Sequence, residues 1–183
     1  RYDFVLTKFS EVLSMKKDEL LHLMRIAIGL HDIGKLNVRW QKAIGWMEGQ
    51  EPLAHCYPQI RKFPLPPHAT VSAISLQKVF APLGKSLWEC FLLAIAHHHA
   101  PRAKECPAFR LVNNYAGIVE EIGLNIDTRD IAHAGKTTSL PSFIEIRGTQ
   151  NKYYRLYSLL SKHMRLSDWI ASGEGTYESL FHP

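Results

Sequence analysis

Apolar residues recur at helical spacing along most of this chain. Phe4, Val5, Phe9, Val12 and Leu13 predict a first helix over about Tyr2–Met15. Asp18 suits the N-cap of a second helix running to Ile33, with Leu20, Met24, Ala27 and His31 on one stripe and Gly34 as its stop. Val38–Met47 reads as a short third helix. Gly49, Pro52, Pro58, Pro64, Pro66 and Pro67 then exclude regular helix from a long connection. His68 opens the next helix, to about Phe80, and Pro82–Gly84 makes a turn. Lys85–His97 is apolar nearly all round, as in a helix buried in the middle of a bundle. Pro107–Ile122 reads as amphipathic helix stopped by Gly123. Phe143–Ile146 reads as a short strand, half of a small β-hairpin near 140–148. A last helix spans about Thr149–Ser172, with Tyr153, Tyr157, Leu160, Met164 and Asp168 on its core stripe. The expectation is an all-α bundle of six to seven helices, with that small hairpin, in one domain over 1–183.

Several core-facing positions hold residues that do not belong in a core. His31 continues an apolar stripe, and Asp32 follows it at the helix end. A carboxylate there is costly unless paired or bound to a cation. An adjacent His and Asp offer a divalent ion one nitrogen ligand and one oxygen able to bridge two ions. His98 and His99 close the most apolar helix, and Asp168 stands where the spacing asks for an apolar side chain. His68 begins a helix, with Ser72 one turn along the same face. Each has an ordinary reading: His68 as a helix-start residue, the His97–His99 run as a solvated helix end, Asp168 as a partner of Arg165 or Lys162. One shared metal site accounts for all six positions together. His22 precedes His31 by nine residues, half a turn out of phase and about 13 Å along the helix, so it cannot join them. His55, His133, His163 and His182 have no supporting pattern.

Composition changes this picture little. The chain has 183 residues, is 46% hydrophobic and 21% charged, and reads as one soluble globular domain. No apolar run approaches the roughly 20 residues of a membrane helix, and no signal peptide is visible, so a cytoplasmic protein is expected. The chain opens on Arg1, so a truncated N-terminus is expected. Cys56, Cys90 and Cys106 lack CxxC spacing and read as reduced thiols without a role. A net charge of +5 and a pI near 9.1 mildly favour a polyanionic partner.

Four segments carry a resemblance that spans positions 30 to 172: Leu30-His31-Asp32-Ile33-Gly34-Lys35, Pro67-His68-Ala69-Thr70-Val71-Ser72, Ala94 to Ala100 with His97-His98-His99, and Leu166-Ser167-Asp168-Trp169-Ile170-Ala171-Ser172. Together they resemble the motifs of an HD nuclease, specifically the HD domain of the type I CRISPR interference nuclease–helicase or its stand-alone form. The resemblance implies that Asp32 bridges two divalent ions, from among Mn, Co, Ni, Fe or Mg. It implies that His31 and Asp168 hold one ion while His68, His98 and His99 hold the other. Lys35 would contact the scissile phosphate, with Asp32 and Lys35 the catalytic pair. Ser72 and Ser172 would support the ligands or touch substrate. His97 stands where the family usually has a small residue and is left out. The family's further His upstream of the HD pair has no counterpart between Arg1 and Lys17.

The reading that follows is metal-dependent hydrolysis of DNA, preferably single-stranded, in CRISPR interference. Unwinding would come from a helicase domain or subunit, working with the CRISPR RNA-guided surveillance complex, and no membrane is involved. Arg39, Lys42, Arg61, Lys62, Arg102 and Lys104 flank the motifs as candidates for the strand path, or are plain solvated surface. The rival readings are an HD phosphohydrolase acting on a nucleotide or cyclic dinucleotide, and a degenerate HD docking module.

Overall fold

The all-round apolar segment is the axis of the molecule. In the computed structural model, which describes residues 2–53, 65–100, 103–105, 108–135 and 151–171, the first two helices are α1 (Tyr2–Leu13) and α2 (Lys17–Leu30). They are followed by α3 (Val38–Ala43), α4 (His68–Ser75), α5 (Gln77–Phe80), α6 (Lys85–Ala96), α7 (Tyr115–Glu121) and α8 (Lys152–Ala171). Helix α6 packs on α8 and on α4, and α2 packs on α1 and α8. Phe91, Leu92, Ala94 and Ile95 on α6 have no exposed surface, and neither have Leu156, Leu160 and Met164 on α8. Each large apolar side chain so buried contributes roughly 1.5–3 kcal/mol. The stripes read from the sequence face inward: Leu20, Met24, Ala27 and His31 are all buried. Among the described residues, no helix is long and apolar enough to cross a membrane.

Boundaries moved where tertiary contacts intervened. Helix α2 begins after Lys16 rather than Asp18, which lies in its first turn where its charge suits the helix dipole. It ends at Leu30, three residues short of Ile33, and Ile33–Leu36 forms a separate 3₁₀ turn. Helix α3 stops at Ala43, because the chain turns at Gly45 with φ of 101°. The helix expected from His68 to Phe80 breaks at Leu76, where the Ser75 carbonyl accepts instead from the Ala132 amide (2.9 Å).

The helix expected over Pro107–Ile122 is corrected for its first half. Phe109–Arg110 (β1) pairs antiparallel with Ala134–Gly135 (β2), and Asn37 bridges to Leu111. Among the described residues of that span, only Tyr115–Glu121 is α-helical. Phe109 and Leu111 are buried and Arg110 is exposed. That period-two alternation was present in the sequence, but too short to outweigh the helical reading. The hairpin proposed near 140–148 lies outside the described residues, as do Ser172, Arg61, Lys62, Arg102, Cys56, Cys106, His55 and His182.

Candidate metal centre

Three helix ends and the last turn of a fourth helix converge on one point. His31 is the C-cap of α2, and Asp32 follows it before the 3₁₀ turn. His68 opens α4; His98 and His99 follow the C-cap of α6; Asp168 projects from α8. Close approach of two backbones brings the first two segments together. A Cβ on Gly34 would stand 2.0 Å from the His68 carbonyl oxygen, so only glycine fits there. The Gly34 amide donates to the Ser72 hydroxyl (2.8 Å), and that hydroxyl donates to the His68 carbonyl (3.0 Å). Ser72 is fully buried and fixes the turn against α4.

Two imidazoles are oriented in the same way. The His31 Nδ1 donates to the Ile28 carbonyl and the His98 Nδ1 to the Ile95 carbonyl, each at 2.6 Å and each three residues back. With Nδ1 committed to that carbonyl, each ring turns its Nε2 into the cluster, the nitrogen it would present to a metal on losing any proton there. The His31 Nε2 lies 2.9 Å from Asp168 Oδ1 and 3.8 Å from Asp32 Oδ2. Asp32 Oδ1 lies 3.2 Å from the His68 Nε2 and 3.5 Å from the His98 Nε2. The His98 Nε2 is also 4.0 Å from Asp168 Oδ2, and the His99 Nε2 is 3.6 Å from that same oxygen. Lys35 Nζ donates to Asp32 Oδ2 at 2.5 Å.

The electrostatics follow from this packing. Burial works to raise the Asp32 carboxyl, but contacts from His68 and His98, with the charges of His31 and Lys35, outweigh it and hold the group well below the usual carboxylate range. Asp168 is likewise lowered, burial being outweighed by the hydrogen bond from His31. Burial, reinforced by His98 and His68, brings His99 down to about 4. That side chain is a free base at neutral pH.

The donor set fits a cation. Seven buried side-chain nitrogen or oxygen atoms among the described residues lack a hydrogen-bond partner, and four of them are here: Asp32 Oδ1, His68 Nε2, His98 Nε2 and Asp168 Oδ2. Buried polar atoms are normally satisfied, so four orphans facing one point call for something that accepts lone pairs. The potential ligand atoms fall into two groups, Asp32 with His68, His98 and His99, and His31 with His98 and Asp168. Imidazole with carboxylate suits divalent Mn, Fe, Co, Ni or Zn.

All six histidine and aspartate positions singled out in the sequence are thus brought together. Lys35 joins them, and Ser72 stands behind them. His97 turns away: it is buried beside Tyr157, whose hydroxyl is 3.4 Å from its Nδ1, and burial lowers its pKa. His22 is in neither group of potential ligands; His133 stacks near Tyr115. Cys90 is buried, its thiol donating to the Tyr153 carbonyl (3.3 Å) with its pKa pushed up by burial. Arg39, Lys42 and Lys104 are exposed, and none lines the cavity beside the cluster.

Arg165 was passed over in the sequence except as a partner for Asp168. Its Nε instead donates to the His98 carbonyl (3.0 Å), bracing the turn that carries His98 and His99, and it lines a cavity of about 870 Å³ shared with Asp32, Lys35, His99 and Asp168. The signal was available: Arg165 and Asp168 are one helical turn apart.

A family model described as the HD domain of Cas3 matches residues 3–177 of this chain. Comparisons with curated proteins and with solved structures gave no match.

Proposed function

We propose, because the chain belongs to the Cas3 HD-domain family, that residues 1–183 form one domain that hydrolyses phosphodiester bonds of single-stranded DNA with divalent metal. The family is one of CRISPR-associated HD nucleases. What carries the reading is the convergence of the four orphaned ligand atoms from Asp32, His68, His98 and Asp168.

Asp32, His68, His98 and His99 would hold one ion, and His31 with Asp168 a second, Asp32 reaching towards both. Ions so held supply positive charge that acidifies water and polarises a phosphoryl oxygen. The residues do the rest. The Ile28 and Ile95 carbonyls keep the His31 and His98 rings in one tautomer and one orientation. Lys35 faces the same cavity and places an ammonium where charge grows on the phosphate. Arg165 adds a second cation there while holding the His98–His99 turn. These fixed groups need no rearrangement as the reaction proceeds.

A helicase domain or subunit would deliver the strand, recruited by an RNA-guided surveillance complex. The test is cleavage of matched single- and double-stranded oligonucleotides by chelator-treated protein resupplied with Mn, Co, Ni, Fe or Mg. Cutting should require the ion, favour the single strand, and come with binding that weakens steeply as salt rises. Cleavage that persists in chelator overturns the reading.

The size of the cavity favours one alternative, a phosphohydrolase acting on a nucleotide or cyclic dinucleotide, since about 870 Å³ is enough for a small organic ligand. Activity on a mononucleotide that exceeds activity on the polymer would select it.

A further inference from the structure

Of the six cluster residues, Asp32, His99 and Asp168 line the cavity. Two ions and a phosphate need charged and polar walls, yet much of this lining is apolar: Leu36, Ile118, Ile122 and Trp169. Helix α7 and its C-cap contribute Ile118, Val119, Glu121 and Ile122, and α8 contributes Arg165, Asp168 and Trp169. The α8 set has i, i+3, i+4 spacing and is one face of its helix; in the α7 set Ile118 pairs with Glu121 and Ile122, and Val119 with Ile122, at the same spacings. The cavity is therefore walled by two helical stripes, each combining an acid with a large apolar side chain. Ile122 is 47% exposed and Leu53 40% exposed, leaving apolar surface open to water in a cavity that also carries Lys35 and Arg165.

A ligand that fits both kinds of lining joins an anion to a flat body with apolar faces and a polar edge. A nucleotide unit of a strand has this form. We propose that the apolar lining of the cavity seats the nucleobase next to the phosphate held at the cluster, and that the cavity favours bases carrying an exocyclic amino group over thymine. This rests on reading the chain as a nuclease.

Trp169 directly follows Asp168 in the chain, which places an indole within one nucleotide's reach of the cluster. Aromatic side chains stack on any base, giving affinity without sequence selection. Selection comes from Glu51 and Glu121, which line the same cavity. A carboxylate accepts from the N4 amino group of cytosine or the N6 amino group of adenine, whereas thymine presents an O4 acceptor there and is disfavoured. The same two carboxylates repel phosphate, so the backbone is kept on the Lys35 and Arg165 side.

The test uses labelled single strands of equal length and charge: oligo-dC, oligo-dT and an abasic oligomer. Binding to the full chain is followed by fluorescence anisotropy in chelator and again with Mn²⁺. The expected order is dC, then dT, then abasic, with at least tenfold between the ends. Ile122→Glu, at a position 47% exposed, should compress the series to within about twofold, and Glu51→Gln combined with Glu121→Gln should erase the preference of dC over dT. An abasic strand bound as tightly as dC by the unaltered chain overturns the proposal, as does a series left intact by Ile122→Glu. Cleavage is scored separately. Strands cut with Mn²⁺ but bound without regard to base would remove the base seat and leave the nuclease standing. A graded binding series with no cutting under any metal would do the reverse.

Discussion

Gly34 and His68 are in backbone contact so close that a side chain at Gly34 would overlap the His68 carbonyl oxygen, 2.0 Å from the added carbon. This contact sets the reach of Asp32, two residues before Gly34, to the His68 Nε2 at 3.2 Å. Gly34→Ala should therefore act on the site as well as on the fold. Overpacking costs about 1–3 kcal/mol when side chains yield, and here the neighbour is backbone. A lowered Tm together with loss of Mn²⁺ affinity is expected. Gly117→Ala is the control: nothing lies within 4 Å of the added carbon, and alanine in α7 should raise stability by up to about 1 kcal/mol. Full Mn²⁺ affinity in Gly34→Ala would show that the contact does not position Asp32.

Metal loading should be unequal. One set of potential ligands has four members, Asp32, His68, His98 and His99, while the other has His31, His98 and Asp168. The single Nε2 of His98 can serve one ion only. If it serves the four-member set, the other keeps His31, Asp168 and the far oxygen of Asp32. Titration of chelated protein with Co²⁺, read by calorimetry and visible absorption, should give one tight and one weak step. Two equally tight steps would mean that solvent or another residue completes the weaker set.

Asp32→Asn keeps the shape of the side chain and removes its charge. It should lose the tight step of that titration and all metal-dependent cleavage, with the circular dichroism spectrum unchanged. A variant that still cuts at the unaltered rate excludes Asp32 from the reaction.

Arg165 is a positioning residue as well as a cation. Arg165→Lys keeps the charge but loses the Nε–H donor to the His98 carbonyl. It should weaken metal binding by about tenfold, in the range seen when groups behind metal ligands are altered. Arg165→Gln should match it in metal affinity and fall further in cleavage. Metal affinity unchanged in both variants would leave Arg165 with an electrostatic role alone.

Acid should destabilise the metal-free protein over a defined window. Burial first, then His98 and His68, lowers His99 to about 4; burial also lowers His97 and His163. Unfolded, each histidine takes up a proton near pH 6.5, whereas in the fold it stays neutral to lower pH. Between about 6.5 and 4 the unfolded chain therefore binds more protons, and stability falls as pH falls. His31 opposes this. Burial lowers it, but the hydrogen bond it donates to the Asp168 carboxylate and the charge of Asp32 raise it overall, so its contribution is present at low pH and lost as pH rises. Three groups act against one, and the thermal midpoint in chelator should drop from pH 6.5 to 4. A flat or rising midpoint across that window would show that these histidines are not held as the fold implies.

The sequence by itself determined which residues could form the site. His31 and Asp168 fell on core stripes because a 3.6-residue period places them there whatever the tertiary arrangement. His98 and His99 stood out because they end a helix with no polar face. The all-α class was legible for the same reason: α2, α6 and α8 are long, and their periodicity is local information. The 109–110 strand was not legible, because its partner lies 25 residues away and a two-residue alternation cannot compete with a helical pattern. Only the tertiary structure decided how the ligands divide. That His98 stands between Asp32 and Asp168, that Gly34 is small to admit the His68 carbonyl, and that Arg165 braces His98 rather than pairing with Asp168 all depend on distances between segments far apart in the chain. Those distances are set by the packing of α4, α6 and α8 against one another, which no local pattern records.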